Sequence, residues 1–126
     1  MIYGIGTDLV RIERIRRAFD RFGIPFAARI LTPDEFGEFA PEQRKAHFLA
    51  KRFAAKEACV KAMGQGFRGG LSLQQIGLVH DPVGCPLLVF SGPAEAFVRR
   101  ARIAASHVSI SDEDDYALAF VVLLRG

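Results

Sequence analysis

The stretch RFAAKEACVKAMGQG, Arg52 to Gly66, reads as the end of a helix. At about 100° per residue, Phe48, Phe53, Val60 and Met63 gather in one apolar arc, while Glu57 and Lys61 lie one turn apart outside it. Ala50, Ala54 and Ala58 run beside them at i, i+4 and i+8, and Gly64 and Gly66 follow. The backbone next to the charged pair is therefore bare enough for something bulky to approach closely. Taken alone, the segment is an ordinary solvated helix. Glu at i with Lys at i+4 is the favoured surface ion pair, worth about 0.2–0.5 kcal/mol, and alanine is the best helix former.

Outward from this stretch, Pro41 is expected to open the helix, which would carry Arg44, Lys45, Arg52, Glu57 and Lys61 before Gly64 closes it. The following loop, Gly64 to Gly70, holds four glycines and Arg68, a composition that could turn backbone N–H groups toward a phosphate. Upstream, Thr32-Pro33-Asp34-Glu35 has the form of a capping box. At the start of the chain, Ile2 to Thr7 reads as a short strand loosened by Gly4 and Gly6 and ending at Asp8. A helix should follow, with Leu9, Ile12, Ile15, Phe19 and Phe22 at helical spacing and Arg11, Arg14, Arg17 and Arg21 on the other side, stopped by Gly23 and Pro25. In that reading Asp8 is an N-cap.

Downstream, Ile76 to His80 and Leu87 to Phe90 read as a hairpin about Asp81-Pro82-Val83-Gly84. A helix from Pro93 to about Arg102 precedes a second hairpin, Ser106 to Ser111 and Tyr116 to Leu124. Val108 and Ile110 should face the core, which places His107, Ser109 and Ser111 together on the opposite face. Helices and antiparallel hairpins without a regular strand-helix repeat give an α+β fold, antiparallel hairpins packed on helices. At 126 residues the chain is expected to be one small domain, residues 1–126.

Composition narrows the function. Half the residues are hydrophobic, with 11 Phe and no Trp, an excess that hints at an oligomer. The net charge of +3 is too small for general nucleic-acid binding, so no nucleic-acid partner is expected. Cys59 and Cys85 form neither a CxxC pair nor a disulfide framework, which fits a reduced cytosol. No signal peptide opens the chain, and the longest apolar run, Tyr116 to Leu124, is far short of the roughly 20 residues a spanning helix needs. A soluble, cytoplasmic protein with no membrane partner is expected.

GIGTDLVRIERI at Gly4 to Ile15, followed by RILTPDE at Arg29 to Glu35, RFAAKEACVKAMGQG, the Gly84-Cys85-Pro86 turn and HVSIS at His107 to Ser111, resembles the holo-[acyl-carrier-protein] synthases. These are small phosphopantetheinyl transferases, and the resemblance runs nearly end to end. It implies transfer of the 4′-phosphopantetheine arm of coenzyme A to a serine of apo-acyl carrier protein, releasing adenosine 3′,5′-bisphosphate, in support of fatty-acid biosynthesis. It implies further that Asp8 and Glu57 hold Mg²⁺ and that Lys61 places its charge on the phosphates. Two carboxylates with substrate phosphates suit that ion, whereas zinc would recruit more His or Cys. His107, Ser109, Gly84 and Pro86 are implied as coenzyme A contacts, and Arg44 and Arg52 as partners of its phosphates. Arg14 and Arg21 are implied as the docking surface for the acidic carrier. The resemblance also implies a homotrimer with its sites at subunit interfaces. Either Glu57 or a metal-held water would take the serine proton.

Two positions depart from the family pattern: Cys85 stands where relatives often carry Lys or Arg, and Asp112 where many have His. His47 and His80 have no expected role. Two other readings of the chain remain: a non-catalytic module that binds an acidic helix through its arginines, and a Mg²⁺-dependent phosphohydrolase, which would need further acidic ligands that no motif supplies.

Overall fold

The structure is a computed structural model that describes all 126 residues. In chain order it contains β1 (Ile2–Arg11), α1 (Ile12–Phe22), α2 (Ile24–Ile30), α3 (Phe36–Phe39), α4 (Lys45–Met63), β2 (Ile76–His80), β3 (Pro86–Phe90), α5 (Gly92–Arg100), β4 (Ile103–Asp112) and β5 (Tyr116–Arg125). The α+β reading holds. Antiparallel strands form a three-stranded sheet in the order β1-β5-β4, while β2 and β3 pair as a separate hairpin.

Helix α4 lies across the inner face of the larger sheet, and α1 packs against it from another side. This helix has no single apolar arc, because it is buried on most of its sides: Leu49, Ala50, Ala54, Ala55, Ala58 and Cys59 are all fully enclosed. The bare alanine stripe admits strand rather than ligand. A Cβ added at Gly6 would stand 1.9 Å from the Ala58 carbonyl oxygen, and one at Gly4 would stand 2.0 Å from that of Ala62. The two glycines therefore do not loosen β1; they let its backbone lie directly on α4. Around this contact Val10, Ile12, Leu49, Val121 and Leu123 close one continuous core, each large side chain contributing about 1.5–3 kcal/mol by leaving water.

Four local expectations are corrected. Strand β1 does not end at Asp8 but runs to Arg11, and Asp8 pairs with Ala119 in mid-strand. Asp8 is therefore no N-cap; Arg11 holds that position at α1, with no side-chain capping hydrogen bond. Leu9 belongs to the strand and points outward, so the helix it was expected to start begins three residues later. Pro25 does not merely stop α1, since after the break at Gly23 (φ 67°) it sits in the first turn of α2.

The fourth concerns Pro41, which lies in a turn before α4 begins at Lys45. There Lys45 Nζ donates to the carbonyls of Phe39, Ala40 and Glu42 at 3.0, 3.0 and 2.7 Å. The end of α3 is thus held by a side chain rather than by a continued helix. The expected capping box does form: Thr32 N–H donates to Glu35 Oε1 at 2.7 Å, and Glu35 N–H to Thr32 Oγ1 at 3.3 Å.

Candidate active site

Strand β1 and helix α4 bring Asp8, Glu57 and Lys61 together. Because residues alternate across a strand, Gly6, Asp8 and Val10 face α4 while Ile5, Thr7 and Leu9 face away. Lys61 Nζ reaches back to β1, donating to Thr7 O at 3.0 Å and to Asp8 Oδ1 at 3.1 Å. The other carboxylate oxygen, Asp8 Oδ2, is buried with no hydrogen-bond partner. A buried polar atom without a partner is costly, and here it is an anionic oxygen beside a second carboxylate. Burial, then the negative charge of Asp8, pushes the Glu57 carboxyl above its usual range, against the opposing pull of Lys61 and Arg14.

These donors suit a hard cation. No group of three or more His, Cys, Asp or Glu side chains is arranged to hold a metal, but Mg²⁺ needs only one or two carboxylates when phosphate oxygens complete its shell. The unpartnered Asp8 Oδ2 beside Glu57 offers that oxygen-only set. Cys59 offers nothing comparable: burial pushes its thiol up to about 12, so it stays protonated.

Glu57 also borders a cleft of about 530 Å³ formed by Phe26, Ile30, Phe53, Phe67 and Leu71, with Arg29 among its few charged members. This apolar lining was not legible in the sequence, since it draws on α2, α4 and the glycine loop at once. In that loop Gly64, Gly66, Gly69 and Gly70 all take positive φ, and Gly64 closes α4 by donating its N–H to Val60 and Lys61 carbonyls. Arg14 connects this site with the arginine face of α1. Its charge is felt at Glu57, and it lines an exposed groove with Arg11, Arg17, Leu9 and Tyr116. Arg21 stays exposed about two helix turns after Arg14, its guanidinium 5.1 Å from the ring of Phe22.

A second cleft, about 380 Å³, contains Arg52, Gly84 and Pro86 together with Lys51, His80 and Asp112. Two residues without an expected role, His80 and Asp112, are thus part of its wall. Arg52 is 4% exposed and tied into a charged network that the sequence does not disclose. Its Nη1 donates to Glu35 Oε2 (3.1 Å) and Leu78 O (2.8 Å), and its Nη2 to Glu38 Oε2 (3.2 Å). Lys56, with no exposure at all, donates to Glu35 Oε1 and Ile30 O, each at 2.5 Å. Burial pulls its ammonium below the usual lysine value, and Glu35 opposes that shift. Arg44 stands apart from this cleft at the start of α4, with Nη2 2.8 Å from Nε2 of the buried His47.

His107 and Ser109 are brought to neither cleft. The register aligns Ile5, Val122 and His107 in one row of the sheet and Thr7, Phe120 and Ser109 in the next, all on the outward face. Asp8, Ala119 and Ile110 form a row on the inward face. Within one chain, the sheet separates the HVSIS residues from Asp8, Glu57 and Lys61. The outward face is also strongly apolar for a free surface, with Leu9, Leu118 and Phe120 exposed at 62%, 43% and 44%. No helix is long and apolar enough to cross a membrane.

Residues 4–121 match the 4′-phosphopantetheinyl transferase superfamily. A holo-[acyl-carrier-protein] synthase of Nitrosospira multiformis is 50% identical over 123 residues, 98% of either chain. The crystal structure of holo-[acyl-carrier-protein] synthase from Neisseria meningitidis superposes with a TM-score of 0.94 at 46% identity, covering 99% of this chain and 100% of that one. The Helicobacter pylori holo-[acyl-carrier-protein] synthase, solved in complex with coenzyme A, gives 0.82 at 32% identity over 95% of this chain and 99% of its own. The chain belongs to the 4′-phosphopantetheinyl transferase superfamily and, within it, to the holo-[acyl-carrier-protein] synthases.

Proposed function

We propose that this member of the phosphopantetheinyl transferases works as one domain over residues 1–126, moving 4′-phosphopantetheine from coenzyme A to a serine of apo-acyl carrier protein for fatty-acid biosynthesis in the cytoplasm. The observation that carries the reading is the buried, unpartnered Asp8 Oδ2 beside Glu57, with Lys61 fixed across Asp8 and Thr7. Asp8 and Glu57 would hold Mg²⁺, which when bound supplies Lewis-acid neutralisation of the pyrophosphate worth several kcal/mol.

The residues of the chain do the rest. Lys61, more than half exposed, keeps its ammonium at the edge of the site, where it can turn from Asp8 to a phosphate oxygen. The serine oxygen attacks the phosphorus that bears pantetheine, the bond from that phosphorus to the oxygen bridging the two phosphates breaks, and adenosine 3′,5′-bisphosphate leaves with that oxygen. The serine proton passes to Glu57 or to a water held beside it, a positioned base being worth about 10²–10⁴-fold. Arg14 and Arg21 on the exposed side of α1 suit the acidic helix of a carrier, and Arg14 acts on Glu57 as well, so a docked carrier would lie close to the chemistry.

The opposed placement of His107 and Ser109 supports a homotrimer in which the outward sheet face of one chain completes the coenzyme A site of the next. The uncovered Leu9, Leu118 and Phe120 fit such an interface. Arg52, Gly84 and Pro86 share a cleft suited to the nucleotide end of coenzyme A, with Arg44 nearer the entrance to α4. The test is the mass of apo-acyl carrier protein after incubation with the protein, coenzyme A and Mg²⁺. A gain of one phosphopantetheine, lost with EDTA, Asp8→Ala or Glu57→Ala, is expected; no gain from folded protein with several carriers would refute the assignment.

A further inference from the structure

Arg52 is held in two different ways. Its Nη1 side is closed, since Glu35, which receives that nitrogen, is 3% exposed and also accepts from Lys56 Nζ and the N–H groups of Thr32 and Leu78. Its Nη2 side opens on the cleft, where the partner is Glu38, with a side chain 55% exposed and no other ion pair. The ring of Phe48 lies 4.2 Å from the guanidinium centre and fixes its plane. Arg52 is thus held from several sides, whereas Glu38, on the four-residue α3, is held by this one ion pair.

We propose that Glu38 is an internal stand-in for a substrate phosphate on Arg52. A phosphate monoester entering the cleft displaces the Glu38 carboxylate from Nη2, so Glu38 lowers the affinity of the site for coenzyme A. The inference rests on the reading of this cleft as the nucleotide end of the coenzyme A site. If the pyrophosphate lies at Asp8, Glu57 and Lys61, then Arg52, five residues earlier on α4 and about 7.5 Å away along its axis, meets a different phosphate. The 3′-phosphate is the one at the far end of the nucleotide. It carries up to two charges against one on Glu38, and a fixed guanidinium fork favours the stronger anion.

The experiment is calorimetric titration of wild type, Glu38→Gln and Asp112→Asn with coenzyme A and with 3′-dephospho-coenzyme A. Asp112→Asn removes the same charge from the same cleft, but Asp112 makes no ion pair with Arg52. Glu38→Gln is expected to bind coenzyme A about two- to five-fold tighter, the scale of one exposed ion pair, with dephospho-coenzyme A unmoved and Asp112→Asn showing a smaller gain. Equal or weaker binding by Glu38→Gln overturns the proposal, as does an equal gain from Asp112→Asn or from the dephospho ligand. Absence of coenzyme A binding to folded wild type would instead remove the reading on which the proposal rests.

Discussion

The two faces of the three-stranded sheet share the same strands and carry opposite chemistry. On the inward face, Gly4, Gly6 and Ala119 keep β1 and β5 against α4, and Asp8 is the charged side chain that β1 turns toward it. The outward face carries Ile5, Leu9, Leu118 and Phe120, with His107 and Ser109 set among them. One face is closed over α4; the other is open. A period of two is enough to separate these two groups of residues by the thickness of a sheet, and under the proposed assembly a second copy of the chain brings them together.

The inward face should be the less tolerant. Gly6→Val would drive a side chain into the Ala58 carbonyl, and a loss of about 3 kcal/mol or more is expected, read as a lower urea midpoint. An unchanged midpoint would mean that β1 does not lie on α4 so closely. On the outward face, Phe120→Glu should cost the isolated chain less, about 1 kcal/mol, because Phe120 is already 44% exposed there. If the proposed trimer packs through this face, light scattering should nevertheless report its loss, and with it loss of transfer. A trimer that survives this charge would place the interface elsewhere.

The smallest effect concerns the charge on Glu57. Its carboxyl is raised in the folded chain, so the stabilisation this group gives is present at low pH and is lost as pH rises through that raised value. In EDTA, Glu57→Gln should therefore melt slightly higher than wild type near pH 7, and the gap should close on acidification below the ordinary carboxylate range. A lower melting temperature for Glu57→Gln at pH 7 would mean that Lys61 and Arg14 outweigh burial and Asp8.

Much of this was legible before the structure. Asp8, Glu57 and Lys61 each sit in a motif, and the alternation around Val108 and Ile110 placed His107 and Ser109 on an outward face. At the start of the chain, Leu9, Ile12, Ile15 and Phe19 keep a helical spacing across a strand-helix junction, so spacing alone extends the helix back to Leu9. The period-two set Ile5, Thr7 and Leu9 was also present, but Gly6 masked it. The pairing of Arg52 and Lys56 with Glu35 is hidden from the sequence for a different reason. A helix enclosed on most of its sides has little solvated face for its charges, and their partner Glu35 is far along the chain, on a segment whose own pattern is only that of a cap. Long-range partners leave no periodicity.

The most direct measurement mixes two variants. Asp8→Ala and His107→Ala, each expected to be nearly inactive alone, are unfolded together, refolded at equal concentration and assayed for transfer of phosphopantetheine to apo-acyl carrier protein. If each site joins the inward residues of one chain to the outward residues of its neighbour, random assembly should restore about a quarter of wild-type activity. A mixture no more active than its two components would contradict the shared site and require Asp8 and His107 to act within a single chain.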